Sequence, residues 1–375
     1  MEYSLISGDS HIDLTWMPGD LFVENAPDRY RDLVPRVVEK EDGPHWIANN
    51  IDIGVYGGLG FGFRKPQRGE YKRIDKMMDA GFYEEGPHPT TSALRLRDMD
   101  LDGIDGEVIY GILGVGRWVK DLELTSVIYQ VYNSWVSGFI QEHPGRWAAL
   151  ACIPNHDPIA AAAELRRAAT IGLKGADFAV ATAVKPLWHG DWDVLWQAAA
   201  ECDMPISFHS TGMNTRSADD METQNEYDLQ WRLTWISLLQ IAGAEYLASV
   251  IFSGACERFP DFKFVLGECG VTWLPHILNR MNDEHAERAP VIGVPNNPSD
   301  YWFRQGYTTY QTEHGLADFV PMVGEDHIIW GSDYPHPDGI WPDSKETISK
   351  DLEGLSETSR LKLTRDNAGY LYGFL

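Results

Sequence analysis

The chain has 375 residues, 43% of them hydrophobic and 23% charged, enough to bury a large core and inconsistent with disorder. Its formal net charge of −25 and pI of about 4.7 repel nucleic acid and anionic membrane at long range, so neither is an expected partner. An anionic substrate stays open, because a bound metal reverses the local potential.

No run approaches the roughly 18 consecutive apolar residues of a membrane span. MEYSLISGDSHID lacks the basic-then-apolar pattern of a signal peptide. Cys152, Cys202, Cys256 and Cys269 form no CxxC pair, so a cytoplasmic protein with reduced thiols is expected. SLISGDSHI (4–12) is the first apolar, β-rich run. GEVIYGI (106–112), RWAALACIP (146–154), GLKGADFAV (172–180), MPISFHSTG (204–212), FKFVLGECG (262–270), FRQGYTTY (303–310) and DHIIWGSDYPH (326–336) follow. Helical spacing separates them at 124–143, 157–170, 191–202, 222–256 and 272–286. The segment from 157 opens with an Asp that can cap and a Pro at the first helical position.

Alternating strands and helices imply parallel βαβ units. Mostly apolar strand runs, buried on both faces, fit an α/β fold of the distorted TIM (β/α)8-barrel type. A doubly wound open sheet is the alternative, weakened by the lack of GxGxxG after the first strand. Residues 13–100 break the rhythm with Gly, Pro, charge and interleaved aromatics. They read as a cap or arm inserted after strand one over the barrel mouth, within a single domain of residues 1–375. A disordered surface loop is the other reading of that segment.

Polar residues mark three strand ends. Asp9 and His11 are two apart and so share one side of the first strand. A carboxylate and an imidazole there suit Zn2+, Mn2+ or Fe2+, though an isolated DxH is more often a polar turn. His209 follows an apolar run on the fifth strand, a place where many histidines are structural. Asp333 ends the eighth, where an Asp can also anchor a turn. Together they put Asp, His, His and Asp at the catalytic end of a barrel. Glu268, on the sixth strand, is a candidate general base, further ligand or orienting partner. Its neighbour Cys269 should face the other way. Lys174 starts the fourth strand, where a modified lysine can bridge two metals, but a solvated lysine is the simpler reading.

These residues resemble those of the amidohydrolase-related proteins of the aminocarboxymuconate-semialdehyde decarboxylase type, a branch of the metal-dependent amidohydrolase superfamily. The resemblance covers 4–12 and about 100–375 through SGDSHID, QEHPGRWAALACIPNHDPIAAAAELRRA, DWDVLWQAAAECDMPISFHS, IFSGACERFPDFKFVLGECGVTWLPHILNRM and WGSDYPHPDGIWPDS. It implies a distorted barrel holding a divalent metal, often zinc, through Asp9, His11, His209 and Asp333. Two departures stand out. DxH replaces HxH or ExH, and Glu268 stands where such decarboxylases tend to carry a catalytic His.

The second departure shifts the expectation from decarboxylation to hydrolysis of a small amide, ester or lactone by a metal-activated water. Asp333, Glu268 and His336 are the expected catalytic residues: Asp333 takes a proton from the water, Glu268 assists as base, and His336 reaches a substrate oxygen or supports Asp333. Non-oxidative decarboxylation of an aromatic or enol acid is the second reading. A weakly active subunit beside a paralogue is the third. Zinc is the expected cofactor, with manganese or iron as options, a small molecule is the expected substrate, and a homodimer or hetero-oligomer with a paralogue is the expected assembly.

Overall fold

All eight apolar runs form strands, trimmed at their ends. The computed structural model describes residues 2–59, 64–209 and 228–375. The expected strand end at 210–212, the start of the helical stretch at 222–227 and part of the aromatic insertion at 60–63 lie outside those residues. In chain order the strands are β1 (Ile6–His11), β2 (Arg36–Lys40), β3 (Gly43–Ala48), β4 (Ile51–Val55), β5 (Gly106–Tyr110) and β6 (Trp147–Cys152). β7 (Gly175–Asp177), β8 (Ile206–His209), β9 (Phe264–Gly267), β10 (Gly306–Tyr310) and β11 (Ile328–Trp330) complete the set.

Eight of them form one parallel sheet in the order β1-β5-β6-β7-β8-β9-β10-β11. The sheet curls until its ends meet. Ser10 bridges Tyr334 in parallel, His11 N donates to Tyr334 O at 2.6 Å, and Asp333 N donates to Asp9 O at 2.9 Å. Gly331 makes the seam possible, since a Cβ there would lie 2.3 Å from Asp9 Cβ and 2.9 Å from its backbone nitrogen. The barrel, not the open sheet, is therefore the fold.

Strands buried on both faces explain the continuous apolar runs. Ile6, Val108, Tyr110, Ala148, Leu150, Val265 and Ile329 pack together with Tyr372 of the C-terminal helix Asn367–Tyr372. Each fully buried aliphatic side chain contributes about 1.5–3 kcal/mol. Around the strands, the helix Pro158–Thr170 starts as its sequence suggests: Asp157 accepts from Ile159 N and Ala160 N with Pro158 at the first position. Its Ala161, Ala162, Leu165 and Ala168 are buried in the main hydrophobic core. Among the described residues no helix is long and apolar enough to cross a membrane.

The described part of 13–100 is structured, contrary to the loop reading. It carries the antiparallel sheet β2-β3-β4 and the helices Lys72–Asp79 and Ser92–Asp102. It packs on the segment after β11: Arg73 donates to Ile340 O at 3.0 Å and to Asp343 at 2.6 Å, and Trp341 Nε1 donates to Asp98 O at 3.0 Å. Trp16, Met77, Phe82, Tyr334 and Trp341 form one buried cluster between the two. Arg95, fully buried, ties the insertion to the barrel through Glu107, Ser10 Oγ and His11 O. Lys174 is exposed just before β7 begins, at the end of the barrel opposite the mouth, and so plays no bridging role.

Candidate active site

The site begins with an irregularity in β1. Ser7 pairs with Glu107 and Ser10 with Ile109, so Gly8 and Asp9 together face the single Val108. This bulge re-aims Asp9 beyond what simple alternation gives. Asp9 Oδ1 then lies 3.2 Å from His11 Nε2 and 3.6 Å from His209 Nε2 of β8. His11 Nε2 lies 3.0 Å from Asp333 Oδ1. The His11 and His209 rings meet edge to face at 5.0 Å, and Tyr110 packs on His209 at 4.7 Å. Gly267 leaves room for that imidazole, because a Cβ there would sit 3.0 Å from His209 Cδ2.

The two remaining carboxylates share a backbone feature. Glu268 has φ +53° and Asp333 φ +55°, a left-handed conformation that costs roughly 1–3 kcal/mol in a non-glycine residue. Both follow the last residues of barrel strands, and both turn a carboxylate toward the mouth. Glu268 Oε2 lies 3.7 Å from His209 Nδ1, and its Oε1 accepts from Gln311 Nε2 at 3.2 Å. Cys269 turns the other way, against Gly243 of a surrounding helix. His336 Nδ1 lies 2.8 Å from Asp333 Oδ1 and its Nε2 lies 2.9 Å from Asp13 Oδ2. Both ring nitrogens thus face carboxylates, which suits His336 to orienting Asp333.

Charge and burial shift the titration of these groups. Burial alone would raise Asp9, but the adjoining imidazoles of His11 and His209 hold it well below the usual carboxylate range. Asp333 is likewise lowered, burial being outweighed by His336 and His11. Burial opposes the charged form of His209, yet Asp9 and the nearby carboxylates push it up to about 10. His336 is raised well above its ordinary value despite burial, by Asp333 and Asp13. Glu268 goes the opposite way from Asp9: burial, reinforced by the charge of Asp333, raises it well above 4.5.

The donors fit a metal. Asp9 Oδ1, His11 Nε2 and Asp333 Oδ2 are buried and make no well-aligned hydrogen bond despite the imidazole–carboxylate approaches of 3.0–3.2 Å, a costly state unless another ligand satisfies them. Ligand atoms of Asp9, His11 and His209 all lie within 4.8 Å of one another, as do those of His11, Asp333 and His336. Imidazole and carboxylate together suit Zn2+, Mn2+ or Fe2+. The four expected ligand residues, Glu268 and His336 are therefore in one place.

Several neighbours escaped the sequence reading. Asp13, two residues past His11, was visible in GDSHID but carried no signal of its own. Thr309 and Gln311 end the run YTTYQ, where threonine reads as an ordinary β-former. Asp177 closes β7, at the opposite end of that strand from Lys174. It is buried and raised to about 7 by burial, less the attraction of His209 and His11.

Comparison with known proteins bears on the chemistry. The chain is 23% identical over 301 residues to 2-amino-3-carboxymuconate-6-semialdehyde decarboxylase of Dictyostelium discoideum, spanning 78% of this chain and 79% of the relative. It is 24% identical over 302 residues to γ-resorcylate decarboxylase of Rhodococcus jostii, spanning 74% and 86%. Among solved structures, an amidohydrolase from Mycobacterium avium subsp. paratuberculosis superposes with a TM-score of 0.74 at 20% identity over 100% of both chains. A dihydroxybenzoic acid decarboxylase from Polaromonas, solved with manganese and 2-nitroresorcinol, superposes with a TM-score of 0.61 at 22% identity, covering 79% of this chain and 92% of its own.

These relatives overturn the expectation of hydrolysis. The two curated relatives and the Polaromonas structure are decarboxylases, and a carboxyl whose pKa burial raises is not explained by residue type alone. A model of the amidohydrolase family matches residues 45–374, most of the chain, and with decarboxylases of the aminocarboxymuconate-semialdehyde and γ-resorcylate type as its relatives the chain belongs to that family and to its decarboxylase-like branch.

Proposed function

We propose that this chain is a metal-dependent, non-oxidative decarboxylase of a small aromatic or enol acid. The observation that carries the reading is Glu268, a buried carboxyl 3.7 Å from His209 whose pKa burial raises, set beside the metal-suited atoms of Asp9, His11 and Asp333. Asp9, His11, His209 and Asp333 would hold a divalent ion such as Mn2+ or Zn2+. When bound, that ion anchors and polarises the substrate's carboxylate or an adjacent hydroxyl.

The chain's own groups account for the rest. Glu268 gives its proton to the carbon bearing the carboxylate, forming the C–H bond. The C–C bond to the carboxylate then breaks, its electrons return to the ring or enol, and carbon dioxide leaves. The Glu268 carboxylate left behind accepts from Gln311 and is reprotonated from solvent. His336, between Asp333 and Asp13, keeps Asp333 fixed throughout. The described part of 13–100 would act as a cap within one domain of 1–375, packed through Trp16, Met77 and Phe82 against Tyr334 and Trp341.

Turnover of dihydroxybenzoates by Mn2+-loaded protein in D2O tests this. Carbon dioxide release with one deuterium at the vacated carbon is expected. Incorporation of 18O from labelled water into an acid product, without carbon dioxide, would overturn it.

A further inference from the structure

Thr309 sits on β10, fully buried, between Asp9 and Glu268, two of the acidic residues that the proposed chemistry uses. Its neighbour Thr308 turns outward and donates to Gly270 O at 2.7 Å. Thr309 turns inward, and its one hydroxyl makes two bonds of fixed sense. Glu268 N donates to Thr309 Oγ1 at 2.6 Å, and Thr309 Oγ1 donates to Asp9 Oδ2 at 2.8 Å. A backbone N–H can only donate, so the hydroxyl proton is left for the carboxylate.

Two consequences follow. The bond to Asp9 occupies Oδ2 and leaves Oδ1, which makes no well-aligned hydrogen bond, facing His11 and His209. The bond from Glu268 N holds a residue whose backbone is in the left-handed region at φ +53°. Losing the hydroxyl would strand a buried N–H and let Asp9 rotate.

We propose that Thr309 is a positioning residue whose single hydroxyl selects Oδ1 of Asp9 as the metal-facing oxygen and fixes the backbone that aims Glu268. This rests on the reading of the site as a metal centre. Groups that orient a ligand in this way typically change metal affinity by 10–100-fold when removed.

The test is a titration of metal-free protein with Mn2+, following the EPR signal of the unbound ion, for wild type, Thr309→Val, Thr309→Ala and Thr309→Ser. Circular dichroism and thermal melting of the metal-free forms report folding. The expected result is a 10–100-fold weaker Kd in the Val and Ala variants, with the Ser variant within about threefold of wild type. Val or Ala variants that fold and bind Mn2+ as wild type does overturn the proposal, as does a Ser variant as weak as Val. If neither Val nor Ala folds, the hydroxyl is structural and the proposal also falls. A wild-type chain that takes up no Mn2+ overturns the metal reading itself, a distinct result.

Discussion

His11 Nε2 stands 3.0 Å from Asp333 Oδ1, although one residue ends the first strand of the barrel and the other follows the last. That contact exists only because the sheet closes, with Asp333 N bonded to Asp9 O across the seam at 2.9 Å. Barrel closure and site assembly are thus one event. A change that opens the seam should damage the centre before it unfolds the chain.

Asp333 is the sharpest test of that coupling. Asp333→Asn keeps the shape and one oxygen but removes the negative charge that faces His11 and His336. Turnover should fall by roughly 10²–10⁴-fold, and metal content by elemental analysis should drop with it, while circular dichroism stays unchanged. Near-wild-type turnover in a folded Asn variant would sink the assignment of Asp333 to the centre.

Glu268→Gln separates proton delivery from metal binding. Glutamine can still contact Gln311 but has no proton to give, so carbon dioxide release should fall by about 10²–10⁴-fold with metal content intact. The pH dependence has a definite sign. Glu268 works in its protonated form, and burial raises its pKa well above 4.5. Wild-type activity should therefore persist well above pH 4.5 and decline as pH climbs through the raised value. The residual rate of the Gln variant should lack that alkaline decline, and a matching decline in both proteins would remove Glu268 from the role.

The barrel was legible because strands buried on both faces leave continuous apolar runs, as WAALAC in β6 and ISFH in β8 do. Asp9 and His11 were legible as a strand-end pair. The bulge that aims Asp9 was not, since nothing in SGDSH shows that two residues will face Val108 alone. Nor was the upward shift of Glu268's pKa. It depends on burial and on the charge of Asp333, a residue distant along the chain, and the mistaken expectation of hydrolysis came from judging Glu268 by residue type alone. Thr309 was hidden for the opposite reason, because threonine in a strand needs no special explanation.

Gly331→Ala probes the seam. The added methyl would lie 2.3 Å from Asp9 Cβ, with backbone atoms of Asp9 at 2.9 and 3.1 Å, and backbone cannot step aside as a flexible side-chain end could. Overpacking of this kind costs about 1–3 kcal/mol, measurable by urea unfolding. Asp9 must shift, so Mn2+ affinity should weaken as well. An Ala variant with unchanged stability and metal binding would mean the seam is looser than these distances state.

Asp177 gives a stability prediction with a sign. Its carboxyl is buried, and burial raises its pKa from 3.8 to about 7 in the folded chain. The folded state therefore holds a proton that the unfolded chain has already lost. Asp177's contribution is fully present below the unfolded value of 3.8 and disappears as pH rises through about 7. Between pH 5 and pH 8 metal-free wild type should lose about 2–3 kcal/mol on this account. Asp177→Asn cannot ionise and should not share that loss. The difference in Tm, variant minus wild type, should grow by several degrees over the same interval. Melting curves that shift in parallel for the two proteins would show that Asp177 is already ionised in the folded barrel and that its burial is compensated by a partner.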